Sequence, residues 1–153
     1  MLSWEFLRFA DLGVDNLYDA LALRARVFIL EQGPYLDADG ADRQSWHLLG
    51  RDQHGVLQAY LRIVDAGLKF AEPSIGRVIT APEIRGTGQG HVLIAEGLRR
   101  AAQVWPGVAV RISAQAHLDR YYAAHGFAAQ GEVYIEDTIP HLQMLWRPHD
   151  SHP

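Results

Sequence analysis

Residue types and spacing point to chemistry in one stretch, Ile75-Gly-Arg-Val-Ile-Thr80-Ala-Pro-Glu-Ile-Arg85-Gly-Thr-Gly88-Gln-Gly90. A β-branched segment ends, a glycine-rich turn follows, and a long segment of helical periodicity begins. The first N–H groups of a helix have no acceptor inside it, and they sit at the positive end of its dipole. Glycines let a ligand approach the backbone closely. Together these features cradle a phosphate, and Arg85 adds a fixed positive charge beside the cradle. A P-loop would need a Lys followed by Ser or Thr at its end, and neither is present. A dinucleotide fingerprint would need G-x-G-x-x-G on a first strand–helix unit, whereas these glycines stand at 86, 88 and 90 in mid-chain. From the residues alone, a phosphate cradle and a plain helix start with turn glycines both remain open.

Other chemistries are excluded by what the chain carries. It has no cysteine, so thiolate metal sites, disulfides and a cysteine nucleophile are ruled out. Asp37-x-Asp39-Gly40-x-Asp42 invites a calcium reading, but Ala41 and Leu48 stand where that loop needs Asp and Glu. These carboxylates either form Asx-turns or line a site for a cationic amine. His117 and His125 are spaced poorly for zinc, and neither His-Glu-x-x-His nor Gly-x-Ser-x-Gly occurs. No metal is expected.

The chain of 153 residues is long enough for one domain with its own core and no staple. Residues 1–147 read as that domain and 148–153 as a flexible tail. The net charge of −4 argues against a nucleic-acid partner. No apolar run reaches the roughly 20 residues that span a membrane. The start lacks a basic segment followed by an apolar one, and with the missing cysteines this fits a cytoplasmic protein.

The elements that must position the loop follow from periodicity. Strands are expected at 4–9, 46–51, 56–64, 75–80, 108–113, 133–136 and 141–146, and helices at 15–30, 88–105 and 117–125. Residues 32–44 read as a loop, and Gln53-His54-Gly55 as a hairpin turn. Strands 75–80 and 108–113, joined by a helix, should be parallel neighbours. The class is α+β, or mixed α/β: a central mixed, mostly antiparallel sheet with helices on both faces. Arg24 falls on the apolar stripe of the first helix, which calls for an acidic partner inside the domain or a substrate carboxylate.

Arg85-x-x-Gly88-x-Gly90 matches the signature of the GNAT superfamily of N-acetyltransferases, and the element order fits that fold over nearly the whole chain. The later stretch Gln115-Ala-His-Leu-Asp-Arg-Tyr-Tyr122-Ala-Ala-His-Gly126-Phe127 resembles that family's second element. Several further segments resemble its ElaA-like subgroup. They are Leu23-Arg24-x-x-Val27-Phe28-x-x-Glu31-Gln32, Tyr35-x-Asp37-x-Asp39-Gly40-x-Asp42, His47-Leu-Leu-Gly, Ala114-Gln115-Ala116-His117-Leu118 and Val133-Tyr134-x-Glu136-Asp137-x-Ile139-Pro140-His141.

The resemblance implies an acetyl-CoA-dependent N-acetyltransferase that acts on a primary amine, with direct attack on the thioester. It implies that Arg85, Gly86, Thr87, Gly88, Gln89 and Gly90 hold the CoA diphosphate. Val78, Ile79 and Thr80 would pair with the pantetheine arm, with Gln115 across from them and the two central strands splayed. Tyr122 would protonate the departing thiolate, while Tyr121 packs in the core. The base for the ammonium proton is open among Glu31, His47, Glu136, Asp137 and His141. The oligomeric state is open between monomer and homodimer. Two alternatives keep the fold: a CoA-binding sensor without catalysis, and an acyltransferase like the acyl-homoserine-lactone synthases, which share an Arg-x-x-Val-Phe helix.

Overall fold

The computed structural model describes residues 1–33 and 36–148, so Tyr35 and the end of the tail lie outside the described residues. Strands β1 (Ser3–Arg8), β2 (Ser45–Arg51), β3 (Leu57–Val64), β4 (Ser74–Thr80), β5 (Val110–Gln115), β6 (Phe127–Glu136) and β7 (Ile139–Trp146) form one sheet in the order β1-β2-β3-β4-β5-β7-β6. Every neighbouring pair is antiparallel except β4 and β5, which are parallel. Helices α1 (Gly13–Arg24), α2 (Gln89–Val104) and α3 (Asp119–Ala123) cover it.

Alternation along the strands builds a core on each face. Leu48, Leu61 and Ile63 face α2, where Leu93, Ile94, Leu98 and Ala101 meet them. Leu49, Leu57, Tyr60 and Ile79 face the other way and pack on Ala20 and Leu23 of α1. The hairpin read at 53–55 is present: Gly55 N–H donates to Asp52 O, and Asp52 N–H to Val56 O, each at 3.0 Å. Among the described residues no helix is long and apolar enough to cross a membrane.

Of the boundaries that differ from expectation, three have a clear physical reason. The first helix loses its regular ladder at Arg24 and continues through Ala25–Ile29 as a wider turn, in which Leu30 N–H reaches back five residues to Ala25 O (3.1 Å). Such turns are hard to read from sequence because apolar spacing continues through them. Strand β5 starts at Val110 rather than 108, because the turn after α2 holds Val108 N–H on Trp105 O (3.1 Å). Strand β6 begins at Phe127 rather than 133. Ala128-Ala129-Gln130-Gly131 has no strand pattern of its own, and pairing with β7 supplies what propensity lacks. Register slips between Gln130 and Tyr134, with Gly131 at φ +79°.

The segment 37–42 is pinned by ion pairs. Arg24 is 1% exposed; its Nε donates to Asp37 Oδ2 (2.9 Å) and its Nη1 to Asp42 Oδ1 (2.7 Å). Arg62 of β3, also 1% exposed, donates through Nη1 to Asp42 (2.9 Å) and through Nη2 to Asp39 (2.7 Å). Lys69 and Arg77 add contacts to Asp39 (2.9 Å) and Asp37 (2.8 Å). Asp39 does make one Asx-turn, accepting from Ala41 N–H at 3.1 Å. The three carboxylates therefore serve the protein's own cations, which supplies the internal partner that Arg24 called for and corrects the reading of a site for a cationic amine. Burial alone would push Asp39 and Asp42 up; the guanidinium and ammonium groups beside them more than offset it and hold both well below the usual carboxylate range.

α3 seats on the start of α2. Tyr121 stacks on His91 (4.3 Å between ring centroids), and its hydroxyl lies over Gly90, where an added Cβ would come within 2.5 Å of it.

Arg24→Met should cost up to about 3–5 kcal/mol in urea unfolding, because it takes one of two arginine partners from both Asp37 and Asp42 and leaves each with a single one. Asp39 and Asp42 titrate lower folded than unfolded, so their stabilisation is complete above about pH 5 and drains away below about pH 4. Unfolding free energy measured from pH 6 to 2 should fall steeply in the wild type and more shallowly in Asp42→Asn. Gly90→Ala should lower stability by about 1–3 kcal/mol through overpacking. Tyr121→Phe in the same chain should restore most of it in thermal unfolding.

Candidate active site

β4 and β5 touch at one register position, Ser74 opposite Arg111, where Arg111 N–H donates to Pro73 O at 3.0 Å. Beyond it they part. β4 carries a bulge: Arg77 and Val78 stand opposite Leu61 alone, and Arg77 has φ +52°. A bulge bends its strand and ends local pairing. The two edges then line a cleft of about 900 Å³, with Val78, Ile79 and Thr80 on one side and Ser113, Ala114 and Gln115 on the other.

At one end of the cleft stands Arg85. The turn after it has Gly86 and Gly88 at φ +78° and +83°, a conformation that L side chains resist. Thr87 closes it by donating to Ile84 O (2.5 Å). Val92 N–H is the first to find an acceptor within α2, Gly88 O (3.3 Å), and no side chain caps the amides before it. Arg85 lines the cleft; Gly86 to Gly90 continue from it outside the cleft wall.

Tyr122 of α3 lines the same cleft and is 8% exposed. Phe127 packs edge-on against it at 5.8 Å and Tyr121 at 5.4 Å. Its hydroxyl makes no hydrogen bond among the described residues. Burial, with Tyr121 adding to it, pushes the phenol well above its ordinary range and keeps it protonated.

The expected bases separate. His141 lines the cleft, and its Nδ1 lies 2.8 Å from Ile139 O. A carbonyl only accepts, so Nδ1 carries a proton, and in the neutral ring the lone pair is at Nε2. Nε2 faces Glu136 Oε2 at 3.5 Å. Ser113 Oγ is also 3.5 Å from Glu136 Oε2 and is hydrogen-bonded to Tyr134 Oη. Glu136, Asp137 and Ser113 belong to the cleft wall. Asp137 and Thr138 form the β6–β7 turn at φ +49° and +67°, where glycine is usual.

Glu31 and His47 lie elsewhere. Glu31 pairs with Arg85 (3.0 Å) at the surface and is not in the cleft wall. His47 is buried away from the cleft. Its Nε2 donates to Asp42 O (2.9 Å), so its Nδ1 accepts from Tyr60 Oη (2.6 Å). Burial lowers its pKa, and with both nitrogens engaged it braces the 41–44 turn. Ser113 and the cleft-lining Arg62, Lys69, Phe70 and Arg77 were not anticipated. Tyr134 stands inside a segment quoted above, but nothing in that segment pairs it with Ser113.

Comparison with known proteins agrees with this geometry. Residues 40–148 match the family model of the acetyltransferase (GNAT) domain. The chain is 42% identical over 147 residues to the UPF0039 protein sll0451 of Synechocystis sp., covering 95% of this chain and 96% of that one. It is 40% identical to Protein ElaA of Escherichia coli over 94% of this chain and 95% of that one. The crystal structure of an acyl-CoA N-acyltransferase from Pseudomonas aeruginosa superposes with a TM-score of 0.90 at 41% identity, covering 95% and 99% of the two chains. The fold expected from sequence is therefore the one observed, and the ElaA-like resemblance holds. The chain belongs to the GNAT acetyltransferase family and is an acyltransferase.

Proposed function

We propose that the protein is a cytoplasmic enzyme that moves an acetyl group from acetyl-CoA to the primary amine of a small acceptor, which attacks the thioester directly. The observation that carries this reading is Tyr122: a buried, protonated phenol with no hydrogen-bond partner among the described residues, in the wall of a cleft between two parted strands. The exposed strand edges suit an extended arm that carries amides, because such an arm can pair with β4 as a further strand would. Arg85 and the amides that open α2 suit its diphosphate.

The residues divide the proton work. The acceptor arrives as an ammonium ion and must lose a proton before it attacks. His141 takes it at Nε2, and Glu136 beside it stabilises the imidazolium that forms. The amine nitrogen bonds to the thioester carbon, the carbon–sulfur bond breaks, and the electron pair leaves on sulfur. Tyr122 donates its proton there, so that CoA departs as a thiol, and the second proton that the acylated nitrogen sheds restores the phenol. Burial keeps the proton on the phenol, and it also desolvates the departing thiolate and so makes it a stronger base beside that proton. Glu31 and His47 have no part in the step.

Calorimetric titration should show acetyl-CoA binding while ATP and NAD do not; absence of acetyl-CoA binding would sink the proposal. Tyr122→Phe should lower kcat by about 10²-fold or more, with acetyl-CoA affinity nearly unchanged. His141→Gln should likewise lower kcat by about 10²-fold or more, with acetyl-CoA affinity nearly unchanged. Full turnover in both variants would leave the cleft without its acid and base.

A further inference from the structure

The walls of the acceptor end carry opposite charges. On one side stand Arg62, Lys69 and Arg77. Their carboxylate partners Asp37, Asp39 and Asp42 are not in the cleft wall. Arg62 is buried with both terminal nitrogens on Asp39 and Asp42, so the cations that the cleft sees are Lys69 and Arg77. Arg62 also keeps its Nε–H buried without an acceptor, and the Lys69 ammonium is the most exposed of the three. On the other side stand His141, Glu136 and Asp137.

A low-dielectric cleft focuses such fields and selects ligands by charge pattern. A polyamine would place a second cation against Lys69 and Arg77, which like-charge repulsion disfavours. A simple alkylamine would leave those cations facing apolar carbon. An amine that also bears a carboxylate matches both walls, its nitrogen toward His141 and Glu136 and its carboxylate toward the cations. Val27, Phe28 and Phe70 leave an apolar surface beside them for a side chain. We propose that the acceptor is a free amino acid, with its carboxylate held at the Lys69–Arg77 wall of the cleft. This rests on the acetyl-transfer reading above.

The test compares each primary-amine proteinogenic amino acid with its decarboxylated counterpart, such as L-phenylalanine with phenethylamine, and includes spermidine. Thiol release is followed at saturating acetyl-CoA, after donor binding has been measured separately. At least one amino acid should exceed its amine by about tenfold or more in kcat/KM. Lys69→Met, a surface change with little reach into the core, should shrink that ratio by about threefold or more. Amines or spermidine matching the amino acids would overturn the proposal and leave acetyl transfer standing. Donor binding with no amino acid turned over would overturn it as well. Absence of donor binding would remove the reading beneath it.

Discussion

A helix that joins β4 to β5 makes them parallel neighbours, and parallel neighbours would ordinarily zip along their length. Here they are clasped once, at Ser74 and Arg111, and then held apart by the bulge at Arg77 and Val78. Two rows of backbone donors and acceptors in the middle of a sheet are thereby left without strand partners. That is costly unless water or a ligand satisfies them. Everything else in the site is arranged around this gap. The glycine turn stands at one end, Tyr122 reaches in from α3, and His141 and Glu136 face it from β7 and β6. The remainder of the sheet is antiparallel, paired along most of its length apart from local slips at Gly50–Arg51 and Gln130–Tyr134, and supplies the rigidity that such an opening requires.

The acceptor end depends on a second constraint. The segment 37–42 has little apolar content to bury, and it is held to the sheet by carboxylates that meet Arg24 and Arg62 in a nearly dry environment. Removing water from those charges is expensive, so the arrangement is stable only while each has its partner. The wide turn at Ala25–Ile29 belongs to the same solution. Arg24 points inward to the carboxylates, while Val27 and Phe28, just beyond it, reach the cleft.

The legible parts of this molecule were local ones. The Arg85–Gly90 turn and the Tyr122–Gly126–Phe127 run are contiguous and carry their geometry with them. Arg24 announced itself as a charge on an apolar stripe. The two hidden parts both depend on strand order. Ser113 meets Tyr134 only because β7 inserts between β5 and β6, and Arg62 reaches the cleft only because the β4 bulge turns the sheet open beside it. Periodicity at one strand cannot report which strand will lie alongside. His47 misled for the opposite reason: a histidine on a strand gives no sign in sequence of whether its nitrogens are already engaged.

The slip in β6 bears on how copies of the chain behave in solution. This strand is an outer edge of the sheet, ten residues long, with Val133 and Ile135 turned to water. A straight edge of that length is a template for adding strands from other molecules. The register slip between Gln130 and Tyr134 divides it into two short runs that no single incoming strand can follow, and Glu132 and Glu136 place charge along the break. The irregularity thus guards against edge-to-edge aggregation while leaving the Tyr134 end free to serve the cleft.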